Sequence, residues 1–101
     1  MPQVYVKTTK ARGETLVAIC DEKLLGKKFE DKKIDLVFEV RESFYKGEKT
    51  SIADSVKFLN SATIVNLIGP DIVQAAIKAG YVNPSAVISL AGIPHAQIFK
   101  A

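Results

Sequence analysis

The residues able to do chemistry are few. The chain has one cysteine, Cys20, and one histidine, His95. A thiolate activated by an imidazole is a nucleophilic pair that can be far apart in sequence and close in a fold. Asp21 and Glu22 follow the cysteine directly. Negative neighbours raise a thiol pKa and blunt its reactivity, so Cys20 reads as a small buried residue at a strand end, and the Cys/His enzyme is the lesser alternative. A lone cysteine makes neither an internal disulfide nor a four-thiolate zinc site. No carboxylate lies near His95 in sequence, so no metal and no cofactor is expected.

His95 sits in Gly92-Ile93-Pro94-His95-Ala96-Gln97-Ile98-Phe99. On a strand, His95 and Gln97 share one face and offer two neutral hydrogen-bonding groups. They suit a partner contact, and equally a structural role in the final hairpin. Lys27, Lys28, Lys32 and Lys33 bracket Glu30 and Asp31. With Arg12, and with Lys10 and Arg41 as extensions, they form a candidate phosphate-contacting patch; a solvated loop is the plainer reading. Tyr5, Phe44 and Tyr45 could stack on bases but suit core and turn packing better. A glycine-rich phosphate loop, a nucleophile elbow and paired carboxylates are all missing from the sequence.

Next come the elements that must position these groups. The 101 residues are 48% hydrophobic and 25% charged, which suits one globular domain over residues 1–101. The net charge of +3 permits an anionic partner without demanding one. Charge is concentrated before residue 51; between Phe58 and Phe99 only Asp71 and Lys78 are charged. Such a half builds the core or faces a partner, including a second copy of the chain. No apolar run is long enough to cross a membrane, and the N-terminus lacks the pattern of a signal peptide, so a reduced cytoplasmic setting is expected.

Gln3 to Thr8 and Thr15 to Cys20 read as a hairpin around Lys10-Ala11-Arg12-Gly13. The second strand, apolar on both faces, is expected mid-sheet. Asp21 to Lys33 reads as a loop or helical turn that drops Leu24, Leu25 and Phe29 onto the core. Ile34 to Arg41 alternates, with Ile34, Leu36, Phe38 and Val40 expected inward. Ser43-Phe44-Tyr45-Lys46-Gly47 reads as an aromatic-bearing turn. Ser51 caps a helix bearing Ile52, Val56 and Leu59. Thr63 to Ile68 is a buried strand. Pro70 opens a second helix that ends at Gly80. Ala86 to Leu90 and His95 to Phe99 are the last strands. The expectation is an α+β fold: a small mixed β-sheet with two main helices packed on it, in the order β-β-β-α-β-α-β-β.

Four segments carry a family likeness: Ala18-Ile19-Cys20-Asp21-Glu22-Lys23-Leu24-Leu25-Gly26-Lys27, Ser43 to Gly47, Ala62-Thr63 with Asn66-Leu67-Ile68-Gly69, and Gly92 to Phe99. With them, the chain resembles, over nearly its whole length, the small archaeal family known as domain of unknown function 424. The resemblance implies a cytoplasmic α+β protein with no established catalytic activity. It also implies a setting among genes of translation and ribosome maturation. The expected partner is then ribosomal RNA or a ribosome-associated protein, with a homodimer or protein-interaction module as the alternative. Asn66, His95 and Gln97 are the candidate partner-binding residues within the resembling motifs.

Overall fold

The computed structural model describes residues 2–100. Strands β1 (Gln3–Ala11) and β2 (Glu14–Asp21) form the expected hairpin. Its two-residue turn places both Arg12 and Gly13 at positive φ, the twist that tight hairpins favour. A 3-10 turn over Glu22–Leu24 leads to β3 (Lys28–Asp31) and β4 (Leu36–Glu39), which pair as a small separate sheet. One helical turn, α1 (Glu42–Tyr45), precedes β5 (Glu48–Ser51) and α2 (Ile52–Lys57). Strand β6 (Ile64–Ile68), helix α3 (Pro70–Lys78), β7 (Ile88–Leu90) and β8 (Ile93–Phe99) complete the chain.

Six strands make one mixed sheet in the order β5-β1-β2-β6-β8-β7, in which only β2 and β6 run parallel. Strand β2 is central, as its two apolar faces require. Val17 and Ile19 point to one side, with Val4, Val6, Val65, Leu67 and Ala96 beside them and α2 and α3 above. Helix α3 buries Ile72, Val73 and Ala76, and Leu59 closes the layer. Ser51 caps α2 by accepting from the Asp54 amide at 3.1 Å, a contact worth about 1 kcal/mol.

The other face bears Tyr5, Ala18, Cys20 and Ile68. It is covered at one end by Val40, Phe29, Phe38 and Tyr45 from the β3–β4 hairpin and α1. Phe29 stacks on Phe38 at 5.4 Å between ring centroids.

Three sequence expectations change. The segment read as a loop holds β3, whose Phe29 faces inward between charged neighbours. The long strand from Ile34 shrinks to Leu36–Glu39, because Asp35 takes a positive φ of 51° and breaks the extension. Ile34 is therefore 58% exposed instead of inward. Strand β5 has no apolar pattern of its own and is held by its ladder to β1.

Candidate functional site

The antiparallel register of β6 and β8 sets Asn66 opposite Gln97 and Ile68 opposite His95. Because strand side chains alternate, all four lie on the face away from α2 and α3. Tyr45 reaches this face from α1. Its buried hydroxyl donates to Asn66 Oδ1 at 2.5 Å, and His95 Nε2 stands 3.3 Å from the same oxygen. The candidate residues Asn66, His95 and Gln97 are therefore brought together, and Tyr45 joins them.

Local sequence explains why Tyr45 can reach. Gly47 passes so close to β1 that a Cβ there would lie 2.2 Å from the Val6 carbonyl oxygen. Only glycine allows that approach. Lys7 Nζ donates to the Ser43 carbonyl at 2.6 Å and ties α1 to the same strand.

Burial fixes the protonation states of the cluster. It raises the Tyr45 phenol, which stays a donor. It lowers the pKa of half-buried His95, favouring the neutral ring. The Tyr45 hydroxyl donates to Asn66 Oδ1, which turns the Asn66 oxygen inward. Its amide nitrogen then faces outward.

Below this cluster the sheet face is uncovered. Leu16, Ile64 and Phe99 form the next row of the ladder, and Phe99 is 68% exposed. The β1–β2 turn carries Arg12 at this same end, where Thr63 and Lys100 continue the ladder from Thr15.

The lysines lie elsewhere. Lys28 pairs across from Glu39, near Arg41, whose guanidinium is 3.9 Å from Glu39. Lys32 and Lys33 sit at the hairpin tip. There Asp31 accepts from the Lys33 amide at 3.1 Å and from the Ala91 amide at 2.8 Å, pinning the tip onto the β7–β8 turn. That turn is at the end of the sheet opposite Arg12. The candidate cations thus form no single patch; Arg12 and Lys10, which pairs with Thr15, share an end with Phe99, and Lys28, Lys32, Lys33 and Arg41 do not.

Cys20, Ile68 and His95 occupy one row across three strands, so Ile68 separates the thiol from the imidazole. Cys20 is fully buried, and burial together with Asp21 pushes its pKa up to about 12. The Cys20–His95 pairing is not made.

A cleft of about 600 Å³ opens at the other end of the sheet, lined by Gln3, Asp21, Glu22, Leu24, Pro70 and Asp71 among others. Its carboxylate is already committed. The two oxygens of Asp21 accept from the Asp71 and Ile72 amides, each at 2.9 Å, and cap α3. Gly69, at φ 122°, stands where a Cβ would strike the Asp21 side chain at 2.3 Å. The helix N-terminus is filled by the protein itself.

Sequence reasoning missed Asp21 as a cap and Tyr45 as the clamp on Asn66. The first joins residues 50 and 51 positions apart, the second 21, and neither leaves a local pattern. Among the described residues no three His, Cys, Asp or Glu side chains group as metal ligands, and no helix is long and apolar enough to cross a membrane.

Comparison with known proteins gives two matches. The chain is similar to a solved structure described as an uncharacterized conserved protein from Methanopyrus kandleri. The TM-score is 0.84 at 23% identity, covering 96% of this chain and 90% of that one, which shows a shared fold. No curated protein matches. A family profile described as Protein of unknown function (DUF424) matches residues 9–101. With nearly the whole fold inside that match, the chain belongs to this family.

Proposed function

We propose that the protein is a non-catalytic accessory protein that binds single-stranded RNA on the uncovered part of its sheet. The observation that carries this reading is Phe99. It is a large aromatic left 68% exposed on the same strand face as Gln97 and His95. A flat aromatic on a sheet accepts a stacked base, worth about 1–3 kcal/mol. Neutral amides beside it suit the edges of unpaired bases. Arg12 at the same end supplies a charge for phosphate. The separation of Cys20 from His95 by Ile68 supports a role without catalysis. The family resemblance suggests archaeal translation or ribosome maturation as the setting, with ribosomal RNA as the natural source of such a strand.

Fluorescence anisotropy with a short single-stranded RNA tests this. Binding should weaken with salt, and Phe99→Ala should reduce affinity about 5- to 150-fold, the range that the loss of one stacked base implies. Absence of binding at low salt, or indifference to Phe99→Ala, overturns the reading.

A second reading is a homodimer or protein-interaction module. Ile88 is 53% exposed in the charge-poor half of the chain, and its ladder partner is His95. Light scattering decides it: a dimer that dissociates on Phe99→Ala would favour protein contact over RNA on this face.

A further inference from the structure

We infer that Lys7 holds a phosphate of the bound RNA, so that a single strand stacked on Phe99 crosses the sheet to reach it. This rests on the RNA reading of the same face.

Strand register places the groups. Lys7, Ala18, Asn66 and Gln97 stand in one row across β1, β2, β6 and β8. Ala18 belongs to the cluster on the face away from α2 and α3. Residues opposite each other in a ladder share a face, so Lys7 points to that side too. Tyr45, reaching over from α1, covers the middle of this row and leaves Ala18 1% exposed. The next row is Thr9, Leu16, Ile64 and Phe99. Its two ends are exposed and its middle is half-buried. The Tyr45 side of the cover thus walls a shallow trough that runs at right angles to the strands.

Charge decides which way an RNA strand leaves Phe99. Beside Phe99, Lys100 is turned to the helix side, where its ammonium donates to the Leu59 carbonyl and lies 5.6 Å from the Tyr81 ring centroid. Lys7 stands at the far end of the trough. Its stem is half-buried, and its ammonium, at the surface, donates to the Ser43 carbonyl at 2.6 Å. That neutral acceptor occupies one of three donors and cancels none of the charge. Lys7 makes no ion pair among the described residues. Glu14, the carboxylate on this face of β2, lies two rows away at the hairpin turn. The ammonium is therefore held in place with its charge intact, as a phosphate contact requires. Lys7 and Phe99 are three strands and one row apart, roughly 16 Å between Cα atoms at ordinary strand spacing. Only a strand of several nucleotides covers that span.

The test measures affinity for an eight-nucleotide oligo(U) by anisotropy over a range of salt. Lys7→Gln keeps a donor for the Ser43 carbonyl and removes the charge. It should lower the slope of log affinity against log salt by about 0.7, the value for one phosphate of a single strand. Over a fourfold rise in salt, this variant should lose about 2.5-fold less affinity than wild type. Lys7→Arg should restore the slope. Phe99→Ala should weaken binding at every salt concentration and leave the slope alone. A role for Lys7 in tethering α1 alone would weaken binding with the slope unchanged, and that outcome overturns the inference while leaving the RNA reading intact. If Lys7→Gln fails to fold, wild type decides the matter: RNA should shield Lys7 from an amine-acylating reagent more than it shields Lys32 and Lys33. Equal labelling of Lys7 with and without RNA also overturns the inference. No binding by wild type defeats the RNA reading itself, and this inference with it.

Discussion

The two faces of the six-stranded sheet are built on opposite plans. The face under α2 and α3 carries Val4, Val6, Val17, Ile19, Val65, Leu67 and Ala96, all buried and all apolar. The other face mixes Cys20 and Ile68 with Asn66, His95 and Gln97, and its cover stops partway. Close packing explains the first face completely. It does not explain an exposed Phe99 next to amides on the second. The difference separates residues that hold the fold from residues available to a partner.

Stability measurements can break that division. Leu67→Ala should cost about 2–5 kcal/mol in urea denaturation, since it leaves a cavity under the helices. Phe99→Ala should stay within about 0.5 kcal/mol, as surface changes do. A comparable loss for both would mean that Phe99 is structural. The strand-to-helix latch comes next. Asp21→Ala leaves the Asp71 and Ile72 amides without their acceptor and should cost about 1–3 kcal/mol. The drop in thermal midpoint reads it, and Gly69→Ala should lower the midpoint too, because its Cβ would displace the same carboxylate.

A smaller effect belongs to His95. Its folded pKa lies below the ordinary 6.5, so on acidification the unfolded chain takes up the proton first. Stability should therefore fall as pH drops below about 6.5. The same titration of His95→Gln should lack that component. The smallest change is expected from replacing Lys27, Lys28, Lys32 and Lys33 together with Ala. All four are exposed, so stability should stay within about 0.5 kcal/mol. RNA affinity should keep both its salt dependence and its dependence on Phe99, because the Asp31–Lys33 tip rests on the β7–β8 turn at the end of the sheet away from Phe99.

The first face could be read from sequence because its signals are local. The apolar run of β2, the stripe Ile52, Val56, Leu59 and the Pro70-to-Gly80 helix each announce their own element. What could not be read depends on pairing at a distance. Strand β5 exists because β1 offers it a ladder, and β3 because β4 lies opposite. Ile34 looked inward by alternation until Asp35 reversed the backbone. At the site, Asn66, His95 and Gln97 could be picked out, because they sit in short recognisable segments. Tyr45 looked like turn packing, and only the fold brings its hydroxyl to Asn66.

The sealed position of Cys20 gives the chain a built-in gauge of its own breathing. The thiol sits on the central strand with no exposure. A reagent that captures free thiols must wait for the middle of the sheet to part. Under conditions where capture is slower than reclosing, its rate counts the fraction of molecules that are open. A ligand seated on the uncovered part of the same face would slow the gauge in proportion to its occupancy, so one unmodified residue can report both folding and binding in the native sequence.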